Sequence, residues 1–321
     1  MNFDLLYSNL TNPTLLFFIL GIIAAAIKSD LEIPASSYKF ISLYLLFSIG
    51  FKGGQELAHS NIDREVLFSL LFGLLLAALI PLYTFFILIK KLNFSNSGAI
   101  AASYGSVSAV TFVTASSFLE LLGVSFDGHM VAVMALMEFP AIIVGVLLIT
   151  HYDKSDSGNI TLKHTFRHSI SNGSVLMIMG SLLIGYISNG KQAMEIKPFT
   201  TDIFKGFLAI FLLEMGITTA KRFSAFRKNG WFIVCFSIFI PLINGCAVAY
   251  ISYFVTDDIG NRFIFSVLAA SASYIAVPAA MRIVAPKAEP GLYIPMALGL
   301  TFPINITIGI PLYYYLITIS G

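Results

Sequence analysis

The sequence predicts an all-α polytopic membrane protein, with ten transmembrane helices forming a five-plus-five inverted repeat in which helices 4 and 9 are broken. Three observations predict it. The composition is too apolar for a chain surrounded by water, ten apolar stretches are long enough to span a bilayer, and the second half repeats motifs of the first.

Composition excludes most alternatives. Hydrophobic residues make up 57% of the 321 and charged residues 11%, with mean hydropathy +0.85. Soluble domains carry charge at about 25%, so a soluble core of this size would lack the polar surface to cover it. A bilayer removes that requirement. The net charge of +2, without basic clusters interleaved with aromatics, offers nothing to nucleic acid. Cys235 and Cys246 share one apolar segment and lack the neighbours of a metal site, so they read as small apolar residues. The N-terminus lacks the basic region and cleavage site of a signal peptide, so the run from Pro13 reads as a retained helix.

Spanning helices need roughly 17–25 mostly apolar residues. Such stretches fall at about 13–28, 36–55, 65–90, 97–122, 129–151, 172–189, 202–219, 230–255, 262–286 and 291–318. A polar linker, 153–171, separates a first five-helix repeat (1–152) from a second (172–321). The halves share motifs: Met134–Pro140 against Met296–Pro303, Ala101–Ser106 against Ala269–Tyr274, and Ile49-Gly50 against Met215-Gly216, at offsets of 162–163, 168 and 166. Five helices per half is an odd number, so the second half inserts upside down, as in many secondary transporters. Six Lys and Arg, Arg262 among them, lie on the side with both termini, against thirteen on the other. The positive-inside rule therefore places the linker in the cytoplasm and both termini outside. Trp231, after the basic 221–228 loop, suits a membrane interface.

Helices 4 and 9 hold the unusual polarity. Helix 4 carries Ser103, Gly105, Ser106, Ser108, Thr111 and Thr114; helix 9 carries Ser271, Ser273, Tyr274 and then Pro278. Proline lacks an N–H and clashes with the preceding turn, so helix 9 is expected to unwind around 273–277 and restart at Pro278. Gly105 offers helix 4 similar freedom near 105–108. Two half-helix N-termini, each carrying about half a positive charge, would face each other near the midplane. Hydroxyls of Ser106, Ser108 and Ser273 would add donors, and no basic residue is expected deep in a span. That arrangement points to a small anion held by neutral groups. Glu138, two residues before Pro140 and opposite Thr301, Asn305 and Thr307, reads as a cation or proton site, since a carboxylate within the membrane is costly. Glu214 is a weaker candidate, and Asn244 reads as a cap beside Pro241. Asp127 and His129 are expected in a solvated outer loop, and His151, His164 and His168 lie in or beside the linker.

The strings AASYGSVSAVTFVTASSF, FLLEMGITTAKRF, LAASASYIAVPAAMR and ALGLTFPINITIGIPLY resemble the sodium-dependent bicarbonate transporter (SbtA-like) permease family, over nearly the whole chain. The resemblance implies an inverted repeat assembled as a homotrimer, with a core domain bearing the broken helices and a gate domain at the trimer contact. It also places the substrate cradle on Ser106, Val107, Ser108, Ser273, Tyr274 and Ala276.

The expected function is bicarbonate import by sodium symport in a bacterial plasma (inner) membrane. Glu138, Thr301 and Asn305 would form the cation site, with no cofactor besides sodium as coupling ion. A phenol rather than a carboxylate at Tyr274 supports a second reading, a proton-coupled transporter of another small carboxylate or oxyanion. An intramembrane enzyme would need a nucleophile–base pair or metal ligands at membrane depth. No H-E-x-x-H and no histidine deep in a span supplies one.

Overall fold

A computed structural model describes residues 13–59, 64–152, 173–226, 230–274, 277–278, 281, 285 and 287–320. The 153–171 linker, Ala276 and most of the 278–286 half-helix lie outside the described residues. Among those described there is no strand. The helices are α1 (Pro13–Ala26), α2 (Ala35–His59), α3 (Arg64–Leu88), α4 (Phe94–Gly105), α5 (Ala109–Leu121), α6 (His129–Tyr152), α7 (Gly173–Ile187), α8 (Gly190–Lys197), α9 (Phe204–Phe226), α10 (Trp231–Ile251), α11 (Ile259–Ala270) and α12 (Pro290–Ser320). Within α12, Met296–Thr301 and Asn305–Gly309 are wound wider, as π-helix, around Pro303.

Six segments are long and apolar enough to cross a membrane by length and composition: Arg64–Leu88, Phe94–Leu121, His129–Tyr152, Gly190–Lys221, Trp231–Phe254 and Pro290–Ser320. Leu15–Ala26, Leu176–Ile187 and Ile259–Ala270 are shorter apolar helices. The chain is therefore an all-helical, polytopic membrane protein. Large apolar side chains on its outer face, such as Leu67, Phe68, Leu71 and Leu75 on α3, stay exposed in the isolated subunit, as a lipid-facing surface requires.

Two helix crossings organise one side of the molecule: α2 runs along α7, and α9 along α1. Lipid supplies no hydrophobic drive between helices, so close backbone approach at small residues must supply the packing. A β-carbon on Gly21 would strike the Leu213 carbonyl oxygen, and one on Gly216 the Phe18 carbonyl oxygen. The second crossing matches: Gly185 lies against the Phe51 carbonyl and Gly54 against the Leu182 carbonyl. Gly216 thus corresponds to Gly54, one helical turn beyond the Gly50 that the sequence strings suggested. The contacts repeat at an offset of 162 in α2 and α9, because the collision partners Phe51 and Leu213 share it.

On the other side, α3 packs on α4 and α6, while α10 packs on α11 and α12. Helices α4 and α11 have the same length, twelve residues, and the same boundaries in chemistry. The side chains of Asn93 and Asp258 cap them by accepting from the backbone N–H groups of Asn96 and Asn261, each at 2.7 Å. Both helices end in an extended serine, Ser106 (ψ 175) and Ser271 (ψ 168). Each cap residue and each closing serine is offset by 165, so Ser106 matches Ser271 and Ser108 matches Ser273. This corrects the offset of 168 read from the strings: small residues align with one another in several registers, whereas caps fix one.

The first turns of α4 and α11 are tied down alike. Buried Asn96 accepts from the Glu289 N–H at 2.7 Å, just before α12. Buried Asn261 accepts from the Asp127 N–H at 2.9 Å, just before α6, and donates to the Asp127 carboxylate at 2.7 Å. The start of α4 is thereby fixed to the entry of α12, and the start of α11 to the entry of α6, the two helices that carry Pro303 and Pro140.

Candidate functional site: the crossing of two broken helices

Where α4 stops, residues 106–108 run extended before α5 begins; where α11 stops, 271–273 do the same. The break expected near 105–108 is where the sequence put it. The second comes two residues earlier than 273–277, because the helix closes at Ser271 and is helical again by Val277 and Pro278. Gly105 has a packing reason: a β-carbon there would overlap the Pro81 ring of α3.

The two extended segments cross and are stitched together. The Ser273 N–H donates to the Ser103 carbonyl at 2.8 Å, and the Ser108 N–H donates to the Ser271 hydroxyl oxygen at 3.0 Å. The Ser103 hydroxyl donates to the Ser273 carbonyl. Ser108 caps α5 by accepting from the Thr111 N–H at 3.2 Å, and Ser273 accepts from the Val277 N–H at 3.4 Å. The matched serines therefore do the same work at both restarts.

Five of the six cradle residues, Ser106, Val107, Ser108, Ser273 and Tyr274, meet at this crossing, all buried; Ala276 lies outside the described residues. Much of their donor capacity is already used. The Ser106 hydroxyl is buried and has no hydrogen-bond partner among the described residues, and the Tyr274 hydroxyl is buried within reach of the Ser108 side chain. The Tyr274 phenol stands beside Ser108, with its ring edge-on to Phe302 at 6.3 Å. The crossing thus offers two buried hydroxyls, the free one of Ser106 and that of Tyr274 beside Ser108, next to the α5 N-terminus, whose first N–H groups have no intrahelical partner.

The three expected cation ligands fall into different surroundings. Thr301 donates to the Ser237 carbonyl at 2.8 Å and pairs with the Tyr104 hydroxyl at 2.8 Å. Ser237 lies four residues before Pro241, so Pro241 leaves its carbonyl without the usual helical partner; Thr301 satisfies it. Asn305 donates to the carbonyl of Ala270, the last residue of α11, at 2.6 Å and accepts from Tyr313 at 2.9 Å. Asn305 thus holds the second break, while Thr301 ties α12 to α10 and to α4. Glu138 sits on α6, buried, and its Oε2 has no partner. No hydrogen bond joins Glu138 to Thr301 or Asn305.

Sequence reasoning missed Ser103, Ser271, Tyr104 and Ser237 as builders of the crossing. The usable signal was the shared pattern of an Asn or Asp cap, Asn three residues later and a closing serine. Two placements need correction. His129 is not solvated: it is 2% exposed, beside Asp127, which Asn261 anchors. Arg262 is not a loop residue: it is 1% exposed on α11, donates to Ala249 (3.0 Å) and Ser320 (2.7 Å), and stacks over Tyr253. Its long side chain reaches the ends of α10 and α12. Trp231, at 82% exposed, fits its expected interfacial position.

Residues 13–318, the whole arrangement just described, match the Na+-dependent bicarbonate transporter superfamily. The chain belongs to that superfamily. No curated relative matches it. That superfamily is one of transporters, not of enzymes.

Proposed function

We propose that this superfamily member imports bicarbonate by sodium symport, binding the anion at the crossing of the two breaks. The observation that carries the proposal is the buried, unpartnered Ser106 hydroxyl, with the buried Tyr274 hydroxyl near it, beside a half-helix N-terminus. A polar group buried without a partner costs roughly 1–3 kcal/mol, so a ligand that accepts from both hydroxyls recovers that cost. An anion held by neutral dipoles needs no desolvated lysine or arginine, and it can leave once the protein rearranges. The reading includes Val107, Ser108, Ser273 and Ala276 as the remaining walls of the cradle.

Glu138 is the proposed cation ligand, because its carboxyl is buried and its Oε2 has no hydrogen-bond partner. Asn305 holds the second break and Thr301 ties α12 to α10 and α4, so in this reading they act on the cation site through the scaffold. A bound sodium ion lowers the cost of bringing an anion into the membrane, and the anion returns the favour by the same factor.

The topology proposed is ten spans in an inverted five-plus-five repeat. Support comes from matched crossings (α1 with α9, α7 with α2), matched caps at an offset of 165, and three shorter apolar helices beyond the six long ones. Helix α2, with 25 residues, completes the count; its polar end, Lys52-Gly53-Gly54-Gln55-Glu56, lowers its hydropathy. Both termini outside, a cytoplasmic 153–171 linker, a bacterial plasma membrane and a homotrimer belong to the same proposal. The second reading, a proton-coupled transporter of another small carboxylate or oxyanion, is favoured by the phenol of Tyr274 in the cradle. Ser106→Ala tests the site: half-saturation for bicarbonate should rise roughly tenfold, the value of one hydrogen bond to an anion. An unchanged half-saturation would remove Ser106 from the cradle. A carboxylate that outcompetes bicarbonate by a wide margin would decide for the second reading.

A further inference from the structure

A cavity of about 230 Å³ lies on the face that carries the 123–128 loop, between α5 and the facing parts of α2 and α9. Its lining includes Lys52 from α2, Ser116, Ser117 and Glu120 from α5, and Lys205 from α9. The loop beside it is set by the end of α5. Gly123 adopts φ +67, and the N–H groups of Gly123 and Val124 return to Glu120 and Leu119 at 3.2 and 3.0 Å. That turn brings Val124, Ser125 and Phe126 to the cavity wall.

The charges at the cavity are not equivalent. Lys205 is committed to Glu120 at 3.2 Å. Lys52 makes no ion pair with a described residue. Glu56, one turn beyond Lys52 and past the predicted 36–55 span, also lines the cavity. Its carboxylate feels the attraction of Lys52 and the repulsion of Asp127. Ser116 donates to the Phe112 carbonyl at 3.0 Å. Ser117 is 6% exposed, and its buried hydroxyl has no partner. The uncommitted groups are therefore an ammonium and a hydroxyl, both donors, and what they fit is an acceptor.

We propose that this cavity is a second binding site for a small oxyanion, held by Lys52 and Ser117, and that the anion stops there before it reaches the crossing. Ser117 and Ser108 lie on the same half-helix, nine residues apart, so the two sites are about 13 Å apart along α5. A charged donor at the mouth and neutral donors at depth suit a path of entry. The ammonium, exposed near the end of α2, draws the anion from water without the cost of a buried lysine. Glu56 opposes the anion and limits how long it stays. The inference deepens the proposed bicarbonate reading and takes its probe from it.

The test reads occupancy rather than transport, so it stands apart from the uptake assay. In full-length protein with Cys235→Ser and Cys246→Ser, Ser117→Cys places a thiol in the cavity, and its alkylation by neutral iodoacetamide is followed by mass spectrometry. Choline bicarbonate should slow alkylation in a saturable way, and choline chloride at equal ionic strength should not. Lys52→Gln should raise the half-protecting concentration about tenfold, and Glu56→Gln should lower it. Protection should persist with Ser108→Ala, which alters the crossing. Equal protection by chloride, no protection, or a thiol that never reacts in protein with an unchanged unfolding transition would each overturn the proposal. Loss of protection with Ser108→Ala would also overturn it, because the anion would then be acting only from the crossing.

Discussion

Replacing Thr301 with valine keeps the shape of the side chain and removes its oxygen. Two bonds go with it, the donation to Ser237 and the bond with Tyr104, both at 2.8 Å between fully buried groups. The Ser237 carbonyl then has neither Thr301 nor the helical N–H that Pro241 lacks. A hydrogen bond between helices in a membrane is worth about 0.6 kcal/mol on average and up to about 1.7. A buried group left without a partner costs roughly 1–3 kcal/mol. The expected loss is therefore about 2 kcal/mol, most of it from the orphaned carbonyl. Tyr104→Phe removes only the shared bond, leaves the Ser237 carbonyl satisfied, and should cost about 0.6 kcal/mol. The two substitutions share a bond, so the double variant should fall short of the sum by about 0.5–1 kcal/mol. Equilibrium unfolding in mixed micelles measures all three. A Thr301→Val protein within about 0.5 kcal/mol of the parent, or strictly additive losses, would refute the claim that Thr301 satisfies the carbonyl freed by Pro241.

Glu138→Gln should leave the protein folded while abolishing sodium dependence of uptake; undiminished sodium-driven uptake would remove Glu138 from the cation site. Gly216→Val puts a branched side chain where even a β-carbon meets the Phe18 carbonyl. It should cost at least about 3 kcal/mol, the upper end for overpacking, or prevent assembly. The matched Gly54→Val should behave alike, and a tolerated substitution at either site, measured by thermal unfolding in detergent, would contradict the close crossing.

Much of the architecture is legible in the residues. Apolar runs such as 65–90 and 129–151 become α3 and α6 nearly end to end, because a spanning helix must satisfy every backbone group within itself. The breaks are legible too, since Ser-rich sequence beside Gly105 and Pro278 has few helical uses. The register is not. Strings of Ala and Ser look alike at offsets of 165 and 168, and only the Asn93 and Asp258 caps separate them. Gly50 and Gly54 are one turn apart on the same face, so the string alone does not tell which one meets α7 most like Gly216 meets α1. Arg262 and His129 defeat a reading by polarity, because their partners, Ala249, Ser320 and Asp127, come from other elements. The pairing of Thr301 with Ser237 is likewise a long-range event, set by how Pro241 faces α12.

The central claim is most directly tested by uptake of labelled bicarbonate into proteoliposomes of the purified protein, with and without an inward sodium gradient. The account predicts accumulation that rises with the gradient, with the phenol of Tyr274 in place. Folded, inserted protein that takes up no bicarbonate under either condition would contradict it.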